Sequence, residues 1–409
     1  MKCLWLTRKY PRPVNSGELI YSDGLIRSFA ATGVDLTVIA HDNDEKPVGS
    51  GGESSTFQDE QGVNWRLGSP ELGGRVQSLF TKYPGDAWRL KNGGPEKALR
   101  EAIANESWDA IVIDHAAIGW AVFPIDEYYQ SYGNRPVVTY VSHNHEAKIR
   151  REIARNCAAP FPRSTAIRYD AWKYARLENH LCETCDLVTA ITDTEVEAYR
   201  ENFPEQEYLC LTPGYDGVKA DNRCITTETP RRAVMSGSFE WIAKRINLEL
   251  FLDEAAEKFA EEEIELQIVG KTDTAYKEYI SGKYPSVSMV GRVPEMTPYL
   301  EDSRVGLIVE EHGGGFKLKS LEYIFHGLPL AGLNKAVDGL PLSSPGQILL
   351  ADSIPNLVEA VAEVIDDLDR LNKMRTESFR ICESSFRWQD RGRDLLAKIE
   401  SLRGVILAR

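Results

Sequence analysis

The sequence predicts an α/β protein made of two doubly wound domains in series, and three observations carry that expectation. Short β-branched runs alternate with helical periodicity nearly throughout, the pattern of parallel sheets covered by helices. The alternation breaks at "CLTPGYDGVKADNRCITTETP", where Pro213, Gly214, Gly217 and Pro230 mark a linker. It then restarts with the same scheme. The expected boundaries are a Rossmann-like N-terminal domain over 1–212, a second such domain over 213–385, and a helix over 386–409 that crosses back to the first. Ligands of doubly wound sheets bind beyond the carboxyl ends of the strands, so the two domains are expected to face one another across a ligand-binding cleft.

In the first half "KCLWLT", "VDLTVIA", "WDAIVID", "RPVVTYVS" and "DLVTAI" read as strands, with helices over Glu18 to Ala31 and Pro95 to Asn105. The stretch "HDNDEKPVGSGGESSTFQDEQG" is polar and rich in Gly and Ser, and reads as a strand-poor surface excursion. In the second half "RRAVMSG", "IELQIVG", "SVSMVG", "SRVGLIVE" and "LPLAGL" read as strands, and helices are expected from about Ile246, Thr272, Glu295 and Lys317. No short-period repeat is present.

Composition narrows the function classes. The chain has 409 residues, 42% hydrophobic and 27% charged, the balance of a globular enzyme of two domains. No apolar run approaches the roughly 20 residues of a membrane span. The N-terminal "MKCLWLTRKYPRP" meets Arg8 and Lys9 too early for a secretory core and reads as a buried first strand, so the cytoplasm is the expected location. Seven scattered cysteines fit reduced thiols. Cys182 and Cys185 form a C-x-x-C without a second pair and are expected to pack a helix. A net charge of −14 argues against nucleic acid as a partner. From Lys148 to Arg176, however, Lys148, Arg150, Arg151, Arg155, Arg163, Arg168, Lys173 and Arg176 face only Glu152 and Asp170. That stretch is either a solvated helical face or a contact with an anionic acceptor or with lipid headgroups at the inner face of a membrane.

The residues with chemistry gather at strand ends. Gly313, Gly314 and Gly315 follow "VGLIVE" and precede a helix near Phe316 or Lys317, so bare backbone, first-turn N–H groups and the positive end of a dipole meet there. Such a turn suits the diphosphate of a nucleotide. Lys317 and Lys319 add charge, and Glu322 is placed to accept from ribose hydroxyls. "MSGSFEWIAKRIN" sets Ser236, Gly237 and Ser238 at another strand end with Lys244 and Arg245 shortly after, cations able to neutralise a departing diphosphate. No cofactor and no metal are expected; the D-x-D spelling at 42–44 lies in the polar excursion and reads as a loop. In the first half Ser16 and Gly17 lie between the first strand and its helix. His115 ends "WDAIVIDH", and His143 and His145 end "VVTYVSHNHE", which places all three at the expected rim. A metal pair of His143 and His145 lacks a third ligand.

In order and spacing, the Ser16-Gly17 loop, "LENHLCETCDLVTAIT", "MSGSFEW", "LQIVG", "VSMVGRVPEMTPYLEDSRVGLIV" and "GGGFKLKSLEYIFHGLPL" together resemble the retaining family 4 glycosyltransferases of GT-B architecture, over nearly the whole chain. The resemblance implies transfer of a sugar from a nucleotide-diphosphate sugar to an acceptor hydroxyl, with retention and without a metal, in polysaccharide or glycoconjugate synthesis. The acceptor class stays open: glycan, lipid-linked intermediate or small molecule. By the resemblance, Glu322 matches the second glutamate of the family's paired motif and binds the donor ribose. Ser238, Lys244 or Arg245 take the diphosphate with the amides near Phe316 and Lys317. The first glutamate of the motif falls at Gly314, so donor preference does not carry over, and Glu310, Glu311 or His312 are the candidates to replace it. His115 or His143 would orient donor or acceptor hydroxyls. Two alternatives remain at this level: a nucleotide-sugar epimerase of the same architecture, and a non-catalytic nucleotide-sugar-binding protein. A dinucleotide oxidoreductase is disfavoured because no G-x-G-x-x-G follows the first strand.

Overall fold

The computed structural model describes residues 1–14, 16–42, 55–68, 74, 76–92, 94–132, 135–156, 160–240, 242–311 and 315–408. The chain divides into two compact units, Met1–Gly214 with Trp388–Arg409, and Tyr215–Arg387.

The first unit holds strands β1 (Lys2–Lys9), β2 (Asp35–His41), β3 (Ser55–Gln58), β4 (Asn64–Gly68), β5 (Ala110–Asp114), β6 (Val137–Val141), β7 (Leu187–Ala190) and β8 (Tyr208–Cys210). They form one sheet in the order β3-β4-β2-β1-β5-β6-β7-β8. Only β3 runs antiparallel, against β4. Its helices are α1 (Gly17–Ala30), α2 (Gly85–Lys91), α3 (Pro95–Asn105), α4 (Val122–Tyr132), α5 (Glu146–Asn156), α6 (Arg163–Thr184) and α7 (Asp193–Arg200). β1, β5, β6 and β7 are apolar runs buried on both faces, as a covered parallel sheet requires. The helix starts follow local chemistry. Pro95 opens α3, where a missing N–H costs nothing, and Thr192 caps α7 by accepting from the Glu195 N–H at 3.2 Å.

The second unit holds β9 (Arg232–Ser236), β10 (Glu265–Val269), β11 (Val287–Gly291), β12 (Val305–Ile308), β13 (Leu330–Leu333) and β14 (Leu349–Ala351), with helices α8 (Ile242–Glu261), α9 (Thr274–Lys283), α10 (Thr297–Glu301), α11 (Leu318–Phe325), α12 (Ile354–Val364) and α13 (Leu368–Ser385). The all-parallel order β11-β10-β9-β12-β13-β14 is the doubly wound order with β9 as its first strand. At the carboxyl end of β10, Gly270 has φ +143°, and a Cβ there would stand 1.7 Å from the Gly237 carbonyl oxygen. Only glycine lets the loop after β10 approach the loop after β9 so closely.

α14 (Trp388–Ala408) belongs to the first unit. Its Trp388 is buried beside Tyr21 of α1, ring centroids 6.1 Å apart, and Arg391 Nε donates to the Thr212 carbonyl at 2.8 Å.

Two expectations need correction. The stretch over 41–62 is not strand-poor: Ser55–Gln58 pairs with Asn64–Gly68, and alternation of half-buried and exposed residues let a polar edge strand pass for a loop. Residues 43–54 lie outside those described, as do Asn43 and Asp44 of the D-x-D-like spelling. Helix α8 starts at Ile242 rather than near Ile246, so Lys244 and Arg245 sit in its first turn. Among the described residues no helix is long and apolar enough to cross a membrane. Cys182 and Cys185 are both buried as free thiols, at the end of α6.

Candidate active site

In each sheet the strand order reverses beside the first strand, between β1 and β5 in one unit and between β9 and β12 in the other. Chains leaving neighbouring strands there diverge to opposite faces and open a crevice at the carboxyl ends. Both clusters of candidate residues lie at these points.

In the first unit Asp114, the last residue of β5, is fully buried. His143 Nε2 lies 2.5 Å from Asp114 Oδ1, and Trp5 Nε1 donates to Oδ2 at 3.1 Å. Burial works to raise the Asp114 carboxyl, but the charge and hydrogen bond of His143, with bonds from Trp5 and Ser22, hold it below the usual range. Burial likewise works to lower His143, and Asp114 outweighs it, so the imidazole is raised above its ordinary value. The buried Asp114 carboxylate thus favours the protonated form of the His143 imidazole.

His115 behaves oppositely. It has φ +87°, a left-handed backbone that β-carbon residues avoid, and it is buried. Its Nδ1 accepts from the Ala117 N–H at 2.9 Å, which places the ring proton on Nε2. That Nε2 is 3.9 Å from Glu146 Oε1, too far for a hydrogen bond. Burial, with Arg8, His143 and Arg150 nearby, holds the imidazole well below its ordinary value. His115 therefore presents a neutral ring whose Nε2–H has no hydrogen-bond acceptor among the described residues. The rings of His115 and His143 are 5.0 Å apart. Glu146 is raised by burial, opposed by Arg150, whose Nε donates to its Oε2 at 2.9 Å. His145 goes elsewhere: its ring stacks on Tyr199 at 4.4 Å, with Nδ1 3.3 Å from Glu178, whose carboxylate also accepts from the Ala147 N–H at 2.6 Å. Ser16 is the N-cap of α1 and Gly17 its first residue; the Ser16 hydroxyl makes no capping bond.

In the second unit the cluster centres on Glu310, just beyond β12. Glu310 Oε1 lies 2.9 Å from Lys244 Nζ and 2.7 Å from Lys319 Nζ. The carboxylate is 6% exposed, and its Oε2 is buried with no hydrogen-bond partner among the described residues. Burial works to raise the Glu310 carboxyl, but Lys319 and Lys244 hold it far below the usual range. Lys319 also donates to the Ser236 carbonyl at 3.2 Å, and the Tyr323 hydroxyl donates to Ser236 Oγ at 2.8 Å, which fixes α11 against the end of β9. Lys317 is the N-cap of α11, its Nζ donating to the Gly315 carbonyl at 3.0 Å, and Gly315 has φ +73°. Glu322 is half-buried on α11; burial raises its carboxyl, His326 acts the other way, and its carboxylate oxygens have no partner among the described residues. Phe316 packs on Phe386 at 5.4 Å, and Ser238 is exposed. His312, Gly313 and Gly314 lie outside the described residues.

Lys244 and Arg245 are neighbours with different surroundings. Arg245 Nε donates to the Phe239 carbonyl at 2.7 Å, its other end pairs with Asp273 at the N-cap of α9, and its guanidinium covers the Tyr276 ring at 4.3 Å. Asp114 and Glu310 are the residues that sequence reasoning passed over or left among several. Asp114 closes an apolar run one residue before a histidine, and Glu310 ends "LIVE"; a charged residue ending a buried strand is the signal that points to both. Among the described residues no group of three His, Cys, Asp or Glu side chains is placed to hold a metal ion.

No curated protein matches the chain in sequence. Solved structures share its fold over its whole length. Sucrose-phosphate synthase from Thermosynechococcus elongatus superposes with a TM-score of 0.69 at 15% identity, covering 99% of each chain. α,α-Trehalose 6-phosphate synthase from Burkholderia multivorans gives 0.67 at 11% identity, over 100% of this chain and 98% of its own. The pneumococcal O-GlcNAc transferase solved with UDP and GlcNAc gives 0.63 at 14% identity, over 98% and 99%. The two parallel α/β units are thus those of GT-B glycosyltransferases, and residues 230–367, which contain the whole Glu310 cluster, match the family described as Glycosyl transferases group 1.

Proposed function

We propose that this protein is a retaining, metal-independent glycosyltransferase that moves a sugar from a nucleotide-diphosphate sugar to an acceptor hydroxyl. The observation that carries the reading is the pair of ammonium groups, Lys244 and Lys319, held on one buried carboxylate at the switch point of the second sheet, inside the segment that matches the family. Lys244 is part-exposed at 39% of its side chain and Lys319 is more enclosed at 16%. A diphosphate entering beside them is met by cations already in place, with no reorganisation at the moment of reaction. First-turn amides of α11 and the amides near Phe316 add donors, and the Glu322 carboxylate, without a partner among the described residues, accepts from the ribose hydroxyls. Arg245, tied to Asp273, holds the first turn of α8 in position more than it meets the ligand.

As mechanism we propose front-face displacement. The bond from the anomeric carbon to the diphosphate breaks as the acceptor oxygen adds on the same face, and a departing diphosphate oxygen takes the hydroxyl proton. Lys244 and Lys319 stabilise the charge growing on the diphosphate, the role a metal fills in other transferases. The Nε2–H of neutral His115 orients a sugar or acceptor hydroxyl. Uridine is the first nucleotide to try, since a protein of similar fold is solved with UDP.

The experiment is a thermal-shift screen against nucleoside diphosphates and nucleotide sugars, followed by nucleoside diphosphate release with an acceptor panel. Stabilisation by a donor and release that requires acceptor are expected. Conversion of the donor to another nucleotide sugar without acceptor would replace transfer with epimerisation, and donor binding without turnover would leave a binding protein.

A further inference from the structure

The α5–α6 pair carries a surface that sugar transfer does not use. Of the basic residues between Lys148 and Arg176, two turn inward: Arg150 pairs with Glu146 and Asp86 under Tyr174, and Lys173 is buried, donating to the Ser78 carbonyl at 2.6 Å. Lys148, Arg151, Arg155, Arg163, Arg168 and Arg176 are exposed, in a chain whose net charge is −14. No ion pair holds Arg151, Arg155 or Arg168 among the described residues. With Trp172 these three arginines line a groove of about 400 Å³ over an alanine floor.

Large apolar groups stand beside the cations. Trp172 is 50% exposed, and Phe161, just before α6, is 83% exposed. Tyr169 stacks on Trp172 at 5.7 Å, and Arg176 covers the Trp172 ring at 5.0 Å. Lys173, through Ser78, ties the 3₁₀ turn Val76–Phe80 to α6, and Phe80 on that turn is 88% exposed. On α6 residues 165, 168, 169, 172 and 176 fall at helical spacing, so cations and rings share one stripe. A dissolved polyanion would satisfy the arginines but leave Phe80, Phe161 and Trp172 in water. A bilayer surface satisfies both, with phosphates for the guanidinium groups and an interfacial zone for the rings.

We propose that this face docks on the surface of a bilayer containing anionic phospholipid, with the exposed arginines on lipid phosphates and Phe80, Phe161 and Trp172 in the interfacial zone. α5 links the docked face to the histidine cluster: its first residue, Glu146, lies beside His115, and Arg151 and Arg155 further along line the groove.

Cosedimentation of the full chain with vesicles tests this, with no donor present, so the outcome does not depend on the proposed reaction. Vesicles of phosphatidylcholine with phosphatidylglycerol should carry the protein down, and phosphatidylcholine alone should not. Arg151→Gln with Arg168→Gln should weaken binding on the order of thirtyfold. Phe161→Ser with Trp172→Ser should weaken it about tenfold or more at unchanged charge. All four side chains are exposed, so circular dichroism and the thermal midpoint should match the parent. The proposal is overturned if mixed vesicles leave the protein in solution, or if neither pair of substitutions changes the sedimented fraction. It is also overturned if the Phe161/Trp172 pair binds like the parent while a soluble acidic polysaccharide strips the protein from vesicles, since the partner is then a polyanion.

Discussion

Asp114 and Glu310 occupy matching places in the two sheets, each at the end of the strand next to the sheet's first strand, and each is buried. They are neutralised differently. Asp114 is matched to one imidazole, whose charge depends on pH in the physiological range, and Glu310 to two ammonium groups. Both carboxyls are held below their usual range, so what differs is the cation. The first cluster can exchange a proton and aim a neutral N–H from His115; the second keeps its charge through neutral pH. Orientation of hydroxyls suits the first and stabilisation of a leaving diphosphate suits the second.

The largest effect that would break this contrast belongs to the lysine cluster. Lys244→Ala should lower turnover about 10²–10³-fold in an assay of nucleoside diphosphate release, while Arg245→Ala, whose partner is Asp273, should cost at least tenfold less. Equal losses would mean that both cations meet the diphosphate. Next in size, Glu310→Gln strands two lysines. It should destabilise the second unit by about 2–4 kcal/mol in urea unfolding, the lower figure reflecting the solvent that still reaches Lys244.

The first cluster gives smaller effects that sharpen the contrast. Because His115 has φ +87°, the ordinary order of substitutions should reverse. His115→Gly should be more stable than His115→Ala by about 1 kcal/mol in thermal unfolding, and both should lose activity. The smallest effect is one of pH. His143 is raised above its ordinary 6.5, so the stability it contributes is fully present below 6.5 and is lost as pH rises through the raised value. His115 is lowered, so its contribution is present above 6.5 and is lost as pH falls toward its depressed value. The thermal midpoint should therefore fall on both sides. Asp114→Asn should flatten the alkaline side and His115→Asn the acid side; a profile unchanged by Asp114→Asn would separate His143 from the effect.

Much of this was legible because the strands that position the site are buried on both faces and read as β-branched runs. "LWLT", "IVID" and "VTYV" left little room for another period, and the residue types at their ends followed. What could not be read is pairing across strands. Asp114 and His143 meet because β5 and β6 are neighbours with Asp114 opposite Val141, a register that no local spacing encodes. Glu310 likewise gathers Lys244 and Lys319 only once β9 and β12 lie side by side. Lys317 and Lys319 are two residues apart in sequence, yet one bonds its own turn and the other reaches Glu310 and Ser236. Edge strand β3 escaped because its alternation is polar, and α8 begins a turn before the expected start because Lys244 and Arg245, which read as part of the loop after β9, lie in its first turn.

The return of α14 to α1 makes the second unit an insertion within the first: the chain leaves the first unit after Gly214 and rejoins it at Trp388. During synthesis the lobe that begins earlier is therefore finished later, since its α1 surface waits uncovered until the polypeptide has passed through the whole of the other lobe. Cutting the chain ahead of Trp388 would accordingly injure the lobe most distant in sequence from the cut, exposing Tyr21 and its neighbours on α1, and leave the nearer one intact.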